Sequence, residues 1–90
     1  MSTVRIPPTF RAATDGAKEI VIAGSTVREV LDGLVAAHPT LATQLLDPEG
    51  RLNRFVNVFV NDTDVRYLDS LDTTVEDRDR VLLLPAMAGG

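Results

Sequence analysis

The chain has no cysteine and no tryptophan, a single histidine and only 4% aromatic residues. Without cysteine there is no disulfide framework, no thiolate nucleophile, no thiolate zinc cluster and no side chain to carry a persulfide. Any sulfur chemistry has to use a different atom of the chain. One histidine, His38, excludes a histidine dyad or a multi-histidine metal site. Beside Pro39 at the end of a helical pattern, it is expected to act as a favourable end charge or cap. No apolar run approaches the ~20 residues that cross a bilayer, the longest lying near Val81–Leu84. The opening Met1-Ser2-Thr3-Val4-Arg5 lacks the apolar stretch of a signal peptide. A cytoplasmic location with no membrane partner is therefore expected.

Positive charge is also scarce. The net charge is −4 and unevenly spread: residues 1–61 balance six acids with six bases. Residues 62–79 carry seven acids (Asp62, Asp64, Asp69, Asp72, Glu76, Asp77, Asp79) against Arg66 and Arg78. A nucleic-acid binder concentrates the opposite charge, so nucleic acid is not an expected partner. Two readings of the acidic stretch stand open: it favours a basic partner surface, chiefly through association rate, or it is a solvated face. The pairs Asp62/Asp64 and Asp77/Asp79 bring calcium to mind, but the first lacks the glycine and distal glutamate of an EF-hand loop. Both pairs stand where turns favour aspartate, so no metal is expected.

What is present is one small core's worth of apolar residues. Ninety residues with 44% hydrophobic content make a single domain, and 24% charged residues with a slightly positive mean hydropathy argue for an ordered one. Thr3–Ile6 reads as a strand with Val4 and Ile6 on one face and Arg5 on the other, stopped by Pro7-Pro8. Thr14-Asp15-Gly16 is turn chemistry, and Lys18–Ala23 follows as a second strand, Ile20 and Ile22 sharing a face. A short connection between them predicts an antiparallel hairpin. Thr26 with Glu29 three residues on makes a capping box, opening a helix whose stripe is Val27, Val30, Leu31, Leu34 and Val35. Gly33 within it is expected to allow close helix–sheet packing. His38-Pro39 closes the helix, and Thr40–Leu46 is expected to add a helical turn packing Leu41 and Leu45.

After the loop Asp47-Pro48-Glu49-Gly50, Phe55–Val60 is the clearest strand. Val56, Val58 and Val60 lie on one face, Phe55, Asn57 and Phe59 on the other. Asn61-Asp62-Thr63-Asp64 reads as a turn and Val65–Tyr67 as a short return strand. The last strand is Arg80–Leu84, with Val81 and Leu83 inward and Leu82 and Leu84 outward. One helix then covers one face of a mixed sheet, with the first and last strands parallel at its centre. The expected class is α+β: a β-grasp (ubiquitin-like) sheet of about four to five strands packed on one main helix. If the valines face the helix, Phe55, Phe59, Leu82 and Leu84 form an exposed apolar patch, a candidate partner surface that Arg5 and Arg66 would rim.

The remaining stretch is Pro85-Ala86-Met87-Ala88-Gly89-Gly90. Proline, lacking an N–H, is expected to stop the strand, so residues 1–85 read as the domain and 86–90 as a flexible tail. Beyond Pro85 there are only small or unbranched residues. Five of them, fully extended, reach roughly 16 Å. Backbone without Cβ atoms approaches other groups closely, so such a thread enters a channel that branched residues would block. The one reactive group at its tip is the Gly90 carboxylate, which the other residues are expected to present.

This order of elements, ending in an apolar strand, proline, small residues and Gly-Gly, resembles the ubiquitin-like prokaryotic sulfur carriers (ThiS/MoaD-like). The stretches that carry the resemblance are Phe55-Val56-Asn57-Val58-Phe59-Val60-Asn61, Leu71 with Val75, Asp77-Arg78-Asp79-Arg80-Val81, and Leu84 through Gly90. It covers essentially the whole chain. Within the family the chain is most similar to the CysO-type carriers of cysteine biosynthesis from O-phosphoserine. The shared features are Arg54-Phe55-Val56-Asn57-Val58, Asn61-Asp62, Asp64-Val65-Arg66 and the Pro-Ala-x-Ala-Gly-Gly ending.

The resemblance implies a protein cosubstrate, not an enzyme, with no bound cofactor. An activating enzyme using ATP would adenylate the Gly90 carboxylate and then place sulfur on it, leaving a terminal thiocarboxylate. Adenylation is needed because a carboxylate is a poor electrophile. The thiocarboxylate, a soft nucleophile, would attack an aminoacrylate on a pyridoxal-phosphate cysteine synthase. An S-to-N acyl shift would leave cysteine amide-linked to Gly90 until a metalloprotease releases it. Pro85, Ala86, Met87, Ala88 and Gly89 would serve presentation. The alternatives are a small subunit of molybdopterin synthase, a sulfur donor to another biosynthetic enzyme, and a ubiquitin-like protein modifier joined to lysines. Molybdopterin synthase subunits usually carry Pro-Pro where this chain has Pro85-Ala86, and glycine where it has Arg78.

Overall fold

The computed structural model describes residues 1–85. Its strands are β1 (Ser2–Arg5), β2 (Glu19–Ile22), β3 (Val56–Val60), β4 (Thr63–Asp64) and β5 (Arg80–Pro85). The helices are α1 (Val27–Ala37) and the single turn α2 (Ala42–Leu45). The five strands make one sheet in the order β2-β1-β5-β3-β4. The pair β1/β5 is parallel and every other pair antiparallel. The last strand therefore lies centrally beside the first, as the sequence order predicts, with the helices on one face. This is the β-grasp arrangement.

The alternation of side chains along each strand sorts them cleanly. Val56 and Val58 of β3, Val4 of β1, and Val81 and Leu83 of β5 are fully buried, and Val60 nearly so. They meet Val27, Val30, Leu31 and Leu34 of α1, the predicted stripe. Val35, at the stripe's edge, is only partly buried. Leu41 and Leu45 join the same core from the segment after Pro39.

Helix α1 starts where the capping residues place it. The Glu29 N–H donates to Thr26 Oγ1 at 3.2 Å, while the Glu29 carboxylate accepts from the Ser25 N–H at 2.7 Å, one residue ahead of the standard box. At the other end the His38 N–H donates to the Leu34 carbonyl at 2.8 Å, and a 3-10 helix, Pro39–Leu41, takes over.

Gly33 is the contact point between α1 and the edge strand β2: a Cβ there would stand 2.8 Å from Ile22 Cγ2. That methyl is branched at Cβ and has little freedom to give way. We therefore expect Gly33→Ala to destabilise the protein by about 1–2 kcal/mol, although alanine gains up to ~1 kcal/mol of helix propensity. Denaturant unfolding of the two forms checks this; a stabilised variant would mean that helix and sheet separate more readily than the packing implies.

Three parts of the sequence reading need correction. The β1–β2 connection is not a short hairpin loop: Pro8–Thr14 forms a 3-10 helix that inserts Phe10 into the core. The turn expected at its end is there, with Asp15 and Gly16 both at positive φ. Second, Val65–Tyr67 is a 3-10 turn, not a strand. Asn61 and Asp62 both take positive φ, 50° and 73°, so they alone make the tight two-residue hairpin turn. The return strand β4 is therefore over by Asp64, whose carboxylate accepts from the Arg66 N–H at 2.8 Å and starts the 3-10 turn.

Third, β5 continues through Pro85, which lies opposite Val56. The Asn61 N–H donates to the Arg80 carbonyl at 3.0 Å. Alternation along an antiparallel ladder then makes Asn57/Leu84 a hydrogen-bonded pair and Val56/Pro85 a non-bonded one. Proline's missing N–H costs nothing at that position.

Candidate functional site

Of the residues expected to present and carry the reactive carboxylate, Pro85 ends β5, whereas Ala86, Met87, Ala88, Gly89 and Gly90 lie outside the described residues. The described part of the site is therefore the end of β5, its neighbours, and the sheet face that the helix leaves uncovered.

On that face Phe59 and Leu82 are direct cross-strand partners, half-buried, and Leu84 stands opposite Asn57 with 38% of its surface exposed. Phe55 is 48% exposed but sits ahead of β3, in a turn. Asn53 builds that turn: its side chain accepts from the Phe55 N–H at 2.9 Å and its carbonyl accepts from the Val56 N–H at 3.2 Å. The Arg54 guanidinium lies 5.1 Å from the Phe55 ring centroid, within cation–π range. Leu82 and Leu84 line one surface groove with Thr3, Arg5, Glu19 and Arg80. The structure thus joins Phe59, Leu82 and Leu84 on the sheet and sets Phe55 apart at its margin. Arg5 borders the leucines as expected. Arg66 takes a different place, its guanidinium turned onto β3 itself.

Several of the clustered acids have partners within the fold. Asp79 accepts from the Asn61 side chain at 2.8 Å and from the Glu76 N–H at 2.8 Å. The side-chain amide oxygen of Asn61, Oδ1, in turn accepts from the Arg80 N–H at 3.1 Å, pinning the β3–β4 turn to the start of β5. Asp64 caps the 3-10 turn, Asp77 pairs with the Met1 amino group, and Asp72 lies 3.9 Å from Arg28. Among the described residues no group of three or more His, Asp or Glu is placed to hold a metal ion. No helix among them is long and apolar enough to cross a membrane.

The hydrogen bond from Asn61, then that from the Glu76 N–H, hold the Asp79 carboxyl below its ordinary range. A depressed folded-state pKa adds stability above the unfolded value and loses it as pH falls through the folded one. Wild type should accordingly lose stability below about pH 4, and Asp79→Asn should show a smaller acid-induced loss. Denaturation midpoints measured across that range check this. An unchanged acid slope in the variant would assign the loss to other carboxylates.

Set against known proteins, the pattern finds close counterparts. The ThiS family matches residues 4–90, nearly the whole chain. The chain belongs to the ThiS family. It is 43% identical over 90 residues to "Sulfur carrier protein CysO" of Mycobacterium tuberculosis, covering 98% of this chain and 97% of that one. Its fold superposes on the crystal structure of the Amycolatopsis orientalis BexX/CysO complex with a TM-score of 0.91, at 41% identity and full coverage of both chains. It is also 38% identical over 66 residues to "Small archaeal modifier protein 3" of Haloferax volcanii, covering 73% of this chain and 71% of that one. This ThiS-family chain is thus similar over nearly its whole length to a protein named as a sulfur carrier.

Proposed function

We propose that this chain carries sulfur as a thiocarboxylate on the Gly90 carboxyl carbon and delivers it for cysteine synthesis from O-phosphoserine. The observation that supports it most is the likeness to CysO over 98% of the chain, with a family match that runs to Gly90, together with the absence of cysteine. With no thiol in the chain, sulfur is not held as a persulfide, and the carboxylate that follows the two glycines is the group proposed to hold it. A partner enzyme transfers AMP from ATP to that carboxylate, releasing pyrophosphate. A sulfide-level donor then attacks the acyl carbon and AMP leaves, giving –COS⁻.

In delivery, the thiocarboxylate sulfur adds to the β-carbon of an aminoacrylate that the partner synthase forms from O-phosphoserine with loss of phosphate. The resulting thioester acyl group migrates to the free amine of cysteine, and hydrolysis of that amide by a metalloprotease returns the Gly90 carboxylate. All bond-making catalysis belongs to partners. Phe59, Leu82 and Leu84 dock them, with Phe55 at the margin, while residues 86–90 reach their active sites.

To test the acceptor, the thiocarboxylate form is incubated with a pyridoxal-phosphate cysteine synthase and O-phosphoserine. A cysteine residue amide-linked to the C-terminal peptide, stable to thiols, is expected. Recovery of unreacted thiocarboxylate, with the synthase active on a known carrier, would exclude this acceptor. A second reading, a protein modifier, is favoured by the 38% identity to the archaeal modifier protein. It predicts thiol-resistant adducts between Gly90 and lysines of other proteins.

A further inference from the structure

Strand β3 is paired along its length with β5, but β4 covers only Phe59 and Val60 on its other side. At Val56 the alternation of the ladder turns the carbonyl away from β5, toward that uncovered edge. Arg66 meets it there. Its Nη2 donates to the Val56 carbonyl at 3.0 Å and to the Asn53 carbonyl at 3.2 Å, and its Nη1 donates to Asn57 Oδ1 at 2.8 Å. The fork is itself aimed, because Asp64 accepts from the Arg66 N–H and so fixes the turn that carries the side chain.

The three acceptors belong to the first residues of β3 and the turn before it. Those same residues form the ladder with the end of β5: Asn57 opposite Leu84, and Val56 opposite Pro85. On the other side of β5, the pairing with β1 stops at Leu82. In the sheet, Leu84 and Pro85 are therefore paired with β3 alone, and the free edge of β3 at that level is tied by the Arg66 guanidinium and by the Val56 N–H to the Asn53 carbonyl. A planar fork with several fixed donors suits three divergent acceptors in a way an ammonium does not.

We propose that Arg66 is a positioning residue for the chemistry at Gly90. It locks the β3–β5 ladder at the root of the tail and so sets the direction in which the chain leaves the sheet. When a partner grips the sheet face, that direction sets the point and heading from which the chain starts toward the attacking group. Placement errors of about 1 Å at a reacting centre can cost on the order of 100-fold in rate. This rests on the thiocarboxylate reading for its kinetic consequence, but not for the structural lock.

The test compares wild type with Arg66→Ala and Arg66→Lys in two measurements. In amide hydrogen exchange, Leu84 should exchange at least about tenfold faster in both variants, with Val81 unchanged. In ATP-dependent sulfur loading by the activating enzyme, kcat for the carrier should fall about tenfold with KM within about twofold. Lysine should not rescue, since it keeps the charge and loses the fork. Unchanged exchange at Leu84 would overturn the lock. Faster exchange with an unchanged kcat would leave only an edge guard and overturn the positioning role. A raised KM rescued by lysine would instead make Arg66 a direct charge contact with the partner. If wild type itself takes up no sulfur, the proposed function fails, and the exchange at Leu84 alone decides the lock.

Discussion

Deleting Gly89 and Gly90 is expected to abolish ATP-dependent sulfur loading while leaving the unfolding midpoint where it is. The deletion moves the terminal carboxylate inward by about 7 Å of extended chain. That distance is far beyond the misplacement a bimolecular active site tolerates. Stability should change by less than about 0.5 kcal/mol, since neither glycine has a side chain to pack. Gly89→Val keeps the length and adds a branched side chain, so its loading should fall on the order of 100-fold if the partner's channel admits only backbone. Pyrophosphate exchange catalysed by the activating enzyme reads both effects. A deleted form that is adenylated at the wild-type rate would show that the terminal carboxylate is not the working group.

The second large effect belongs to the sheet face. Phe59 and Leu82 are opposite one another across β3 and β5, with the apolar surface of Leu84 beside them. Truncating a central apolar anchor of an interface typically costs at least ~2 kcal/mol, which is roughly 30-fold in affinity. Phe59→Ala and Leu82→Ala should therefore each raise KM for the activating enzyme about 30-fold with kcat little altered. Because the two side chains touch the same surface, the double variant should fall short of the summed effects. KM values at the wild-type level would move the docking surface off this face. Together with the Arg66 variants, these outcomes would separate three proposed tasks: binding by the face, rate by the arginine, and reaction itself by the tail.

Much of this fold is legible in the sequence for definite reasons. The valines of β3 alternate with Phe55, Asn57 and Phe59, so the two-residue period of a strand sorts its residues into two faces, whereas Val81–Leu84 is apolar throughout and its buried face follows from the pairing with β3. Thr26 and Glu29 mark the start of α1, and the apolar stripe its orientation. The carboxyl-terminal residues are readable because their chemistry is their composition: no folding is needed to see small residues ending in two glycines.

What is hidden lacks a period or depends on contacts between distant residues. The 3-10 helix Pro8–Thr14 has no amphipathic repeat, so Phe10 gives no sign of being core. Asn61 and Asp62 are readable as a turn, but not that both take positive φ and so end β4 early. Arg66 reads as a rim charge. Its contacts to Asn53, Val56 and Asn57 lie 9–13 residues back along the chain and exist because the hairpin folds it onto the strand edge. Asp77 and Asp79 read as acidic surface, and the structure gives both intramolecular partners.

The decisive observation is the intact mass of the protein after incubation with the activating enzyme, ATP and a sulfur source, followed by iodoacetamide. Exchange of oxygen for sulfur alone is ambiguous, since oxidation of Met1 or Met87 changes the mass by nearly the same amount. Alkylation removes the ambiguity, because the chain has no cysteine to react. A single alkyl adduct, dependent on ATP and confined to the peptide that ends at Gly90, is the expected result. No adduct, under conditions in which the same enzyme loads a known carrier, would contradict the sulfur-carrying role of Gly90.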